Sequence, residues 1–289
     1  MNKNTVADNK LFSVIIPTYH RNDMLEKCLD CLHPDAQTIQ TDQYEVIVSD
    51  DGRETTAQAL VEEKYPWVQW VKGPQRGPAA NRNNGAKVAL GEWLVFTDDD
   101  CLPMPDWLNA YIELVANTTV KVVEGKTIAD RLQRRYDEES PINETGGNLW
   151  SCNFAIQAKL FRDIGQFDEE FPYPAMEDVD LLIRLKEKGV KTLFLTNAVI
   201  IHPYRQIEKD KFGGVLWSFR YLLIKHNQIN IEYRIGRVKY LLKSIFINGG
   251  RLVTFNFRGW LFYVREHVFL FKLIFVSTNK NSNESRRSN

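Results

Sequence analysis

Cysteine is scarce in this chain, with four in 289 residues: Cys28, Cys31, Cys101 and Cys152. Their spacing gives no disulfide framework. Cys28 and Cys31 form a Cys-x-x-Cys pair, but no second pair or nearby histidine completes a zinc site. The pattern Leu25, Cys28, Leu29, Leu32 assigns them to the apolar stripe of a helix instead. Long apolar runs are also missing: none reaches the roughly 18 residues of a membrane span, and no N-terminal apolar segment resembles a signal peptide. A reducing cytoplasm is the expected setting.

Net charge is absent too, with 37 Lys+Arg against 37 Asp+Glu. The balance hides an asymmetry. From Gln206 onward 15 basic residues face 5 acidic ones, giving +10, and residues 1–205 hold 22 against 32, giving −10. An acidic body with a basic tail implies two surfaces with different partners. Nucleic acid is not among them, because the basic residues interleave with a continuous apolar face and the body is acidic.

What is present is a run of short buried strands that end in chemistry. Phe12–Ile16, Tyr44–Val48, Trp67–Val71 and Trp93–Phe96 are apolar and β-branched or aromatic. Helices are expected between them at Asn22–Leu32, about Thr55–Lys64 and Ala79–Leu90. This alternation predicts a mainly parallel, doubly wound α/β sheet, with Pro17 stopping the first strand. The strands end in Pro17-Thr18-Tyr19, Asp50-Asp51-Gly52 and Asp98-Asp99-Asp100, and a parallel sheet brings such ends to one edge, where ligands bind. Three adjacent carboxylates repel one another unless a cation sits among them, and hard oxygen donors suit Mg²⁺ or Mn²⁺. Gly77 to Gly85 forms a basic, amide-rich helix start suited to an anion.

Past Cys101 the alternation loosens. A helix from Pro105 to about Asn117 and a strand at Val120–Thr127 precede a charged stretch, 128–148, read as a mobile lid. Leu149–Gln157 is extended and Ala158–Ile164 helical. Glu177, Asp178 and Asp180 open a helix stopped by Gly189, and Lys191–Leu195 and Ala198–Ile201 are the last strands, followed by His202. The tail, Phe212–Asn227, Ile235–Ile247 and Gly259–Val276, is helical, aromatic and basic. Gly249-Gly250 and Gly259 are expected to break it. Arg251, Arg258, Arg265 and Lys272 recur every seven residues, which keeps charges on one side of a helix. Such a tail fits a helix lying in an anionic membrane interface, or one packed on the body or on a second subunit.

In their order, Val-Ile-Ile-Pro-Thr-Tyr, Val-Ile-Val-Ser-Asp-Asp-Gly, Gly-Pro-Ala-Ala-Asn-Arg-Asn-Asn-Gly, Phe-Thr-Asp-Asp-Asp and Met-Glu-Asp-Val-Asp resemble the motifs of family 2 glycosyltransferases with the GT-A fold. The resemblance runs from about Phe12 to Arg205. It implies a transferase domain over residues 1–205 and leaves the tail, read above as a helical extension over 206–289, outside the match. It further implies a nucleotide-diphospho-sugar donor, a UDP-sugar by family precedent, and a glycan or lipid-linked acceptor in surface polysaccharide or glycoconjugate synthesis. By the same resemblance Pro17, Thr18 and Tyr19 line the nucleoside pocket, Asp51 accepts from the base, and Arg82 faces the base or diphosphate. Asp98 and Asp99 contact the donor, Asp100 holds Mn²⁺ or Mg²⁺ with His202 as a further ligand, and Asp178, ionised at its helix start, is the base of an inverting transfer. Glu177 and Trp150 fall on the acceptor side.

Arg53 stands where the family usually has Ser after Asp-Asp-Gly, and the Gln-x-x-Arg-Trp motif of processive synthases is absent, so transfer of one or a few sugars is expected. The competing expectations are a non-catalytic nucleotide-sugar-binding or assembly subunit and a sugar nucleotidyltransferase. The latter would carry a Gly-rich basic loop where this chain has Pro-Thr-Tyr-His-Arg. A peripheral position on the inner membrane face and a homo-oligomeric state complete the expectations.

Overall fold

A computed structural model describes residues 10–115, 119–208 and 211–276. Residues 1–9 and the expected helix end near Asn117 lie outside the described residues. The described chain divides into two compact units. The first holds residues up to 131, 140–170 and 177–204. The second holds 132–139, 171–176 and 205 onward.

In the first unit the strands are β1 (Phe12–Thr18), β2 (Tyr44–Asp50), β3 (Val68–Lys72), β4 (Trp93–Phe96), β5 (Leu102–Pro103), β6 (Val122–Ala129), β8 (Phe154–Gln157) and β9 (Thr192–His202). β7 (Glu138–Glu139) belongs to the second unit, where it pairs with β10 (Arg205–Gln206). The first unit's helices are α1 (Asn22–Leu32), α2 (Gln58–Lys64), α3 (Pro78–Val88), α4 (Trp107–Val115), α5 (Ala158–Asp163) and α6 (Glu177–Glu187). The sheet order is β3-β2-β1-β4-β8-β6-β9-β5.

The pairs β1–β2, β2–β3, β1–β4 and β6–β9 are parallel, whereas β8 runs antiparallel to both its neighbours and β5 antiparallel to β9. The sheet is thus mixed and mostly parallel. The chain winds from β1 outward through β2 to β3, then returns to place β4 on the other side of β1. That reversal opens a crevice between the carboxyl ends of β1 and β4, the place where open α/β sheets bind ligands.

β1 runs through Pro17 to Thr18 and does not stop at the proline. Ile15 O accepts from Thr97 N on the β4 side and Thr18 O from Asp51 N on the β2 side. By alternation the Pro17 nitrogen faces the β4 side beyond the last ladder pair, Ile15–Phe96. The missing N–H therefore costs no ladder bond.

Two apolar layers cover the sheet. On one side α1, α2 and α4 bury Leu25, Cys28, Leu29, Leu32, Val61 and Trp107, so the Cys28 stripe packs as expected. On the other, α5 and α6 bury Phe161, Leu181 and Leu185 with Phe96, Phe154 and Phe167. The expected pair of closing strands is one strand, β9, whose register on β6 shifts between Gly125 and Lys126. The stretch expected to be a mobile lid is tethered near its end. The Glu124 carboxylate, 1% exposed, accepts from the amides of Gly147, Asn148 and Leu149, and Thr127 bridges Asn143.

The second unit contains α7 (Lys211–Lys225), α8 (Ile231–Thr254) and α9 (Trp260–Ile274), with a small core of Leu223, Leu270, Leu273 and Val276. Asn230 caps α8 by accepting from Tyr233 N at 2.7 Å. α8 runs straight through Gly249-Gly250, contrary to expectation: packing along α9 offsets a propensity cost of about 1 kcal/mol per glycine. The chain turns later, at 255–259, where Asn256 and Phe257 take positive φ and Gly259, at φ 91°, opens α9. The seven-residue basic repeat is consequently divided: Arg251 lies on α8, Arg258 in the turn, and Arg265 and Lys272 on α9.

Candidate active site

The site is built from strand ends. Thr18 at the end of β1 donates through Oγ1 to Asp99 Oδ2 at 2.7 Å, joining the β1 terminus to the turn that leaves β4. Pro17 is buried beside it, while Tyr19 is exposed and packs edge-on against His20. At the end of β2, Asp50 organises its own loop. Its oxygens accept from Gly52 N and Ala57 N, so the first turn of α2 is delayed to Gln58 rather than starting near Thr55. Asp51 is turned to the loop before α3, accepting from Gln75 N at 2.9 Å and Gly77 N at 3.0 Å. Burial pushes its pKa up against the pull of those amides. Gly73 is required there, since a Cβ would fall 2.3 Å from Asp51 Oδ1. Asn81 then ties β1 to β2, donating to Thr18 O and Ser49 O.

Arg82, on α3, is buried between two acids. Nη2 meets Asp98 Oδ1 at 2.6 Å, Nη1 meets Glu177 Oε1 at 3.0 Å, and the guanidinium lies over the Phe167 ring. One cation thus connects the turn after β4 to the start of α6. Glu177, expected on the acceptor side, is a buried partner of Arg82.

Asp99 is fully buried and Asp100 nearly so. Arg21, just past β1, reaches both: Nη2 contacts Asp99 Oδ1 at 2.6 Å, in charge contact but off a hydrogen-bond direction, and Nη1 donates to Asp100 Oδ2 at 3.0 Å. Burial pushes Asp99 up to about 7, with Asp100 and Asp98 adding to the rise and Arg21 and Thr18 opposing it. His202, at the end of β9, places Nε2 3.2 Å from Asp100 Oδ1, and its Nδ1 is 3.0 Å from Pro203 O. Burial works to lower the His202 pKa, but the hydrogen bond to Asp100 and that carboxylate's charge outweigh it, and the net shift is upward. Sequence reading missed Arg21, for which a basic residue a few positions past a strand end was the one available signal.

Asp100, Cys101 and His202 offer donor atoms within 4.8 Å of one another. The Cys101 thiol is held far above its usual pKa by burial, so it is a poor ligand for a hard ion. A carboxylate oxygen and an imidazole nitrogen remain, a donor set that fits Mn²⁺ or Mg²⁺ better than a thiolate-seeking metal.

Asp178, in the first turn of α6, accepts from Val179 N at 2.8 Å and from Ser151 N at 3.4 Å. The expectation of an ordinary ionised carboxylate is corrected here. Burial and then the Glu177 charge raise its pKa to about 7, against the Val179 amide and Arg82. Asp178 keeps partial exposure to solvent, and the rise comes from its partial loss of water together with the adjacent Glu177 carboxylate, which outweigh the favourable helix-start position. Trp150, next to Ser151, packs on the core layer, and its Nε1–H has no hydrogen-bond partner among the described residues.

A mostly parallel sheet with carboxylates crowded at the β1/β4 crevice and an acidic helix start facing them defines a GT-A type transferase fold. The chain belongs to glycosyl transferase family 2, whose sequence profile matches residues 13–167, and it is a glycosyltransferase. It is 26% identical over 207 residues to glycosyltransferase AglE of Haloferax volcanii, covering 67% of each chain. It is 27% identical over 252 residues to chondroitin synthase of Escherichia coli, covering 70% of this chain but only 36% of that relative. In fold it resembles the mannosyltransferase PcManGT from Pyrobaculum calidifontis, solved with GDP-Man and Mn²⁺, with a TM-score of 0.64 at 17% identity over 95% of this chain and 88% of that one. It also resembles S. aureus TarS 1–349, solved with UDP-GlcNAc, with a TM-score of 0.57 at 21% identity over 74% of this chain and 66% of that one.

Proposed function

We propose that the protein transfers a sugar, with inversion, from a nucleotide-diphospho-sugar to a hydroxyl of a glycan or lipid-linked acceptor. Residues 1–205 act as the transferase domain and 206–289 as a helical extension. The observation that carries this reading is the convergence of Asp98, Asp99, Asp100 and His202 at the β1/β4 crevice, with Arg82 joining Asp98 to Glu177, the residue before Asp178. A UDP-sugar is the first donor to test, given the UDP-GlcNAc bound by TarS, with GDP-mannose, bound by PcManGT, as the second.

Pro17, Thr18, Tyr19 and Asp51 line the nucleoside side. Arg82 holds Asp98 against the donor, and Asp99 with Arg21 fixes the turn that carries Asp100. Asp100 and His202 would hold Mn²⁺ or Mg²⁺, which when bound neutralises the diphosphate leaving group as a Lewis acid. Asp178 takes the proton of the acceptor hydroxyl as its oxygen bonds to the anomeric carbon. The carbon–phosphate oxygen bond breaks on the opposite face, and the nucleoside diphosphate leaves with the electron pair. A carboxylate with a pKa of about 7 is a stronger base than an ordinary one yet still ionised in part near neutrality. Trp150 and Glu177, the neighbours of Ser151 and Asp178, are placed on the acceptor side. A peripheral position at the inner face of a cell membrane suits a lipid-linked acceptor, and no helix among the described residues is long and apolar enough to cross a membrane.

The test is a panel of nucleotide sugars with Mn²⁺ or Mg²⁺, read as nucleoside diphosphate release. Metal-dependent turnover by the native protein, lost in Asp100→Ala and Asp178→Asn variants that keep their fold, is expected. Tight donor binding with no turnover on any donor or acceptor would instead make the chain a binding subunit.

A further inference from the structure

The second unit shows more hydrocarbon to solvent than its small core explains. Among the described residues, 16 of the 25 exposed large hydrophobic side chains fall within 231–276. Twelve of them share one face of their helices, while Tyr240 and Ile247 lie on the far side of α8. At about 100° per residue, Ile231, Ile235, Val238, Leu242, Ile245 and Phe246 occupy one arc of about 100° along α8, and Phe246 is 80% exposed. On α9, Trp260, Leu261, Val264, Val268 and Phe271 do the same, with Phe275 just past its end.

The helices run antiparallel, as the contacts Tyr233 to Leu273, Ser244 to His267 and Ile245 to Tyr263 establish. Each apolar arc lies about a third of a turn from the face its helix buries on the other, in the same rotational sense. In an antiparallel pair that places both arcs on one side of the hairpin. Beyond the arc, on the outer edge of each helix, come basic side chains: Lys239 and Lys243 on α8, Arg265 and Lys272 on α9. The segment 231–276 holds eight Lys+Arg against Glu232 and Glu266, and Glu266 is engaged by the Tyr136 hydroxyl.

We infer that this face of the α8–α9 hairpin docks on the surface of an anionic lipid bilayer, with both helices lying in the membrane plane. The apolar floor enters the acyl boundary, and the basic edges reach lipid phosphates. Hydrocarbon alone would suit a second copy of the chain equally well. The charge decides the occupant, because two copies of this face would bring their basic edges together, whereas anionic headgroups complement them. The inference deepens the peripheral location proposed above and rests on that location, not on the donor chemistry.

The experiment is sedimentation of the full chain with phosphatidylcholine vesicles, with and without phosphatidylglycerol. It compares native protein, a Val268→Glu/Phe271→Glu variant and a Lys243→Glu/Lys272→Glu variant, with circular dichroism, light scattering and donor turnover measured on each. All four positions are exposed, so the helices are expected to persist. The native protein should sediment with phosphatidylglycerol-containing vesicles, and each variant should partition at least about tenfold less, while donor turnover without vesicles is unchanged. Native protein that stays in the supernatant, or sedimentation unchanged in the Val268→Glu/Phe271→Glu variant, overturns the inference. So does a dimer in light scattering that this variant converts to monomer, since the face then belongs to a second copy. Vesicle binding lost in both variants but no turnover by any protein would support the membrane face while removing the transferase reading.

Discussion

The two units break the ordinary rule of burial in opposite directions. The first hides charge: Asp99, Asp100, Arg82 and Glu177 are all buried at one sheet edge. The second exposes hydrocarbon, with Phe246, Phe271 and Phe275 turned to solvent on helices rich in lysine and arginine. Each departure is costly in an isolated protein. The chain offsets the first in part with its own cations, Arg21 beside Asp99 and Asp100 and Arg82 between Asp98 and Glu177, and the crowded acids still suit a polar, cation-bearing ligand. Exposed apolar arcs with basic edges call for an anionic interface. The chain therefore divides chemistry from placement, and the two can be broken separately.

The largest effect should come from the first unit's acids. Asp178→Asn is expected to lower turnover by roughly 10²–10⁴-fold with the fold intact, the range for loss of a general base. It should leave vesicle binding untouched, and a variant with normal turnover would remove Asp178 from the chemistry. Next, Arg82→Met leaves Asp98 and Glu177 facing each other without their cation. Denaturant unfolding should report a loss of about 3–5 kcal/mol, the cost of breaking a buried pair by removing one partner.

The pH dependence sharpens the comparison further. A raised pKa means that the folded state keeps a proton on Asp178 that the unfolded chain, with an ordinary value of 3.8, has released. The stability this provides is complete below 3.8 and is lost as pH rises to about 7. Over the same window the ionised base appears, so turnover should rise toward neutrality as stability falls, and the rising limb should be missing in Asp178→Asn. A turnover profile flat from pH 5 to 8 would contradict the assignment. The smallest effect belongs to Glu124→Gln, where a neutral acceptor replaces the carboxylate that gathers three amides of the 147–149 turn. A loss of about 1–2 kcal/mol is expected, with little change in turnover.

Much of the first unit was legible in the sequence because its central strands are apolar on both faces and end abruptly in polar residues. β1, β2 and β4 needed nothing else. β8 was visible as extended but not as antiparallel, since direction is set by the connections around it and not by its own residues. Pro17 looked like a stop because its N–H deficit is counted locally, whereas its cost depends on which neighbour the nitrogen faces. Gly249-Gly250 looked like a break for a similar reason: local propensity yields to packing between α8 and α9. At the site, Asp98, Asp99, Asp100 and Asp178 announce themselves by clustering at element ends. Arg21 does not, and its place between Asp99 and Asp100 emerges only when β1 and β4 are adjacent. The raised pKa of Asp178 was equally hidden, because its cause is the surroundings brought by folding.

The most direct test of the central claim is the anomeric configuration of the product, read by proton NMR after Mn²⁺-supported transfer from whichever donor the panel identifies. A single displacement with Asp178 as base predicts a product of inverted configuration relative to the donor. A product that retains the donor's configuration would contradict it.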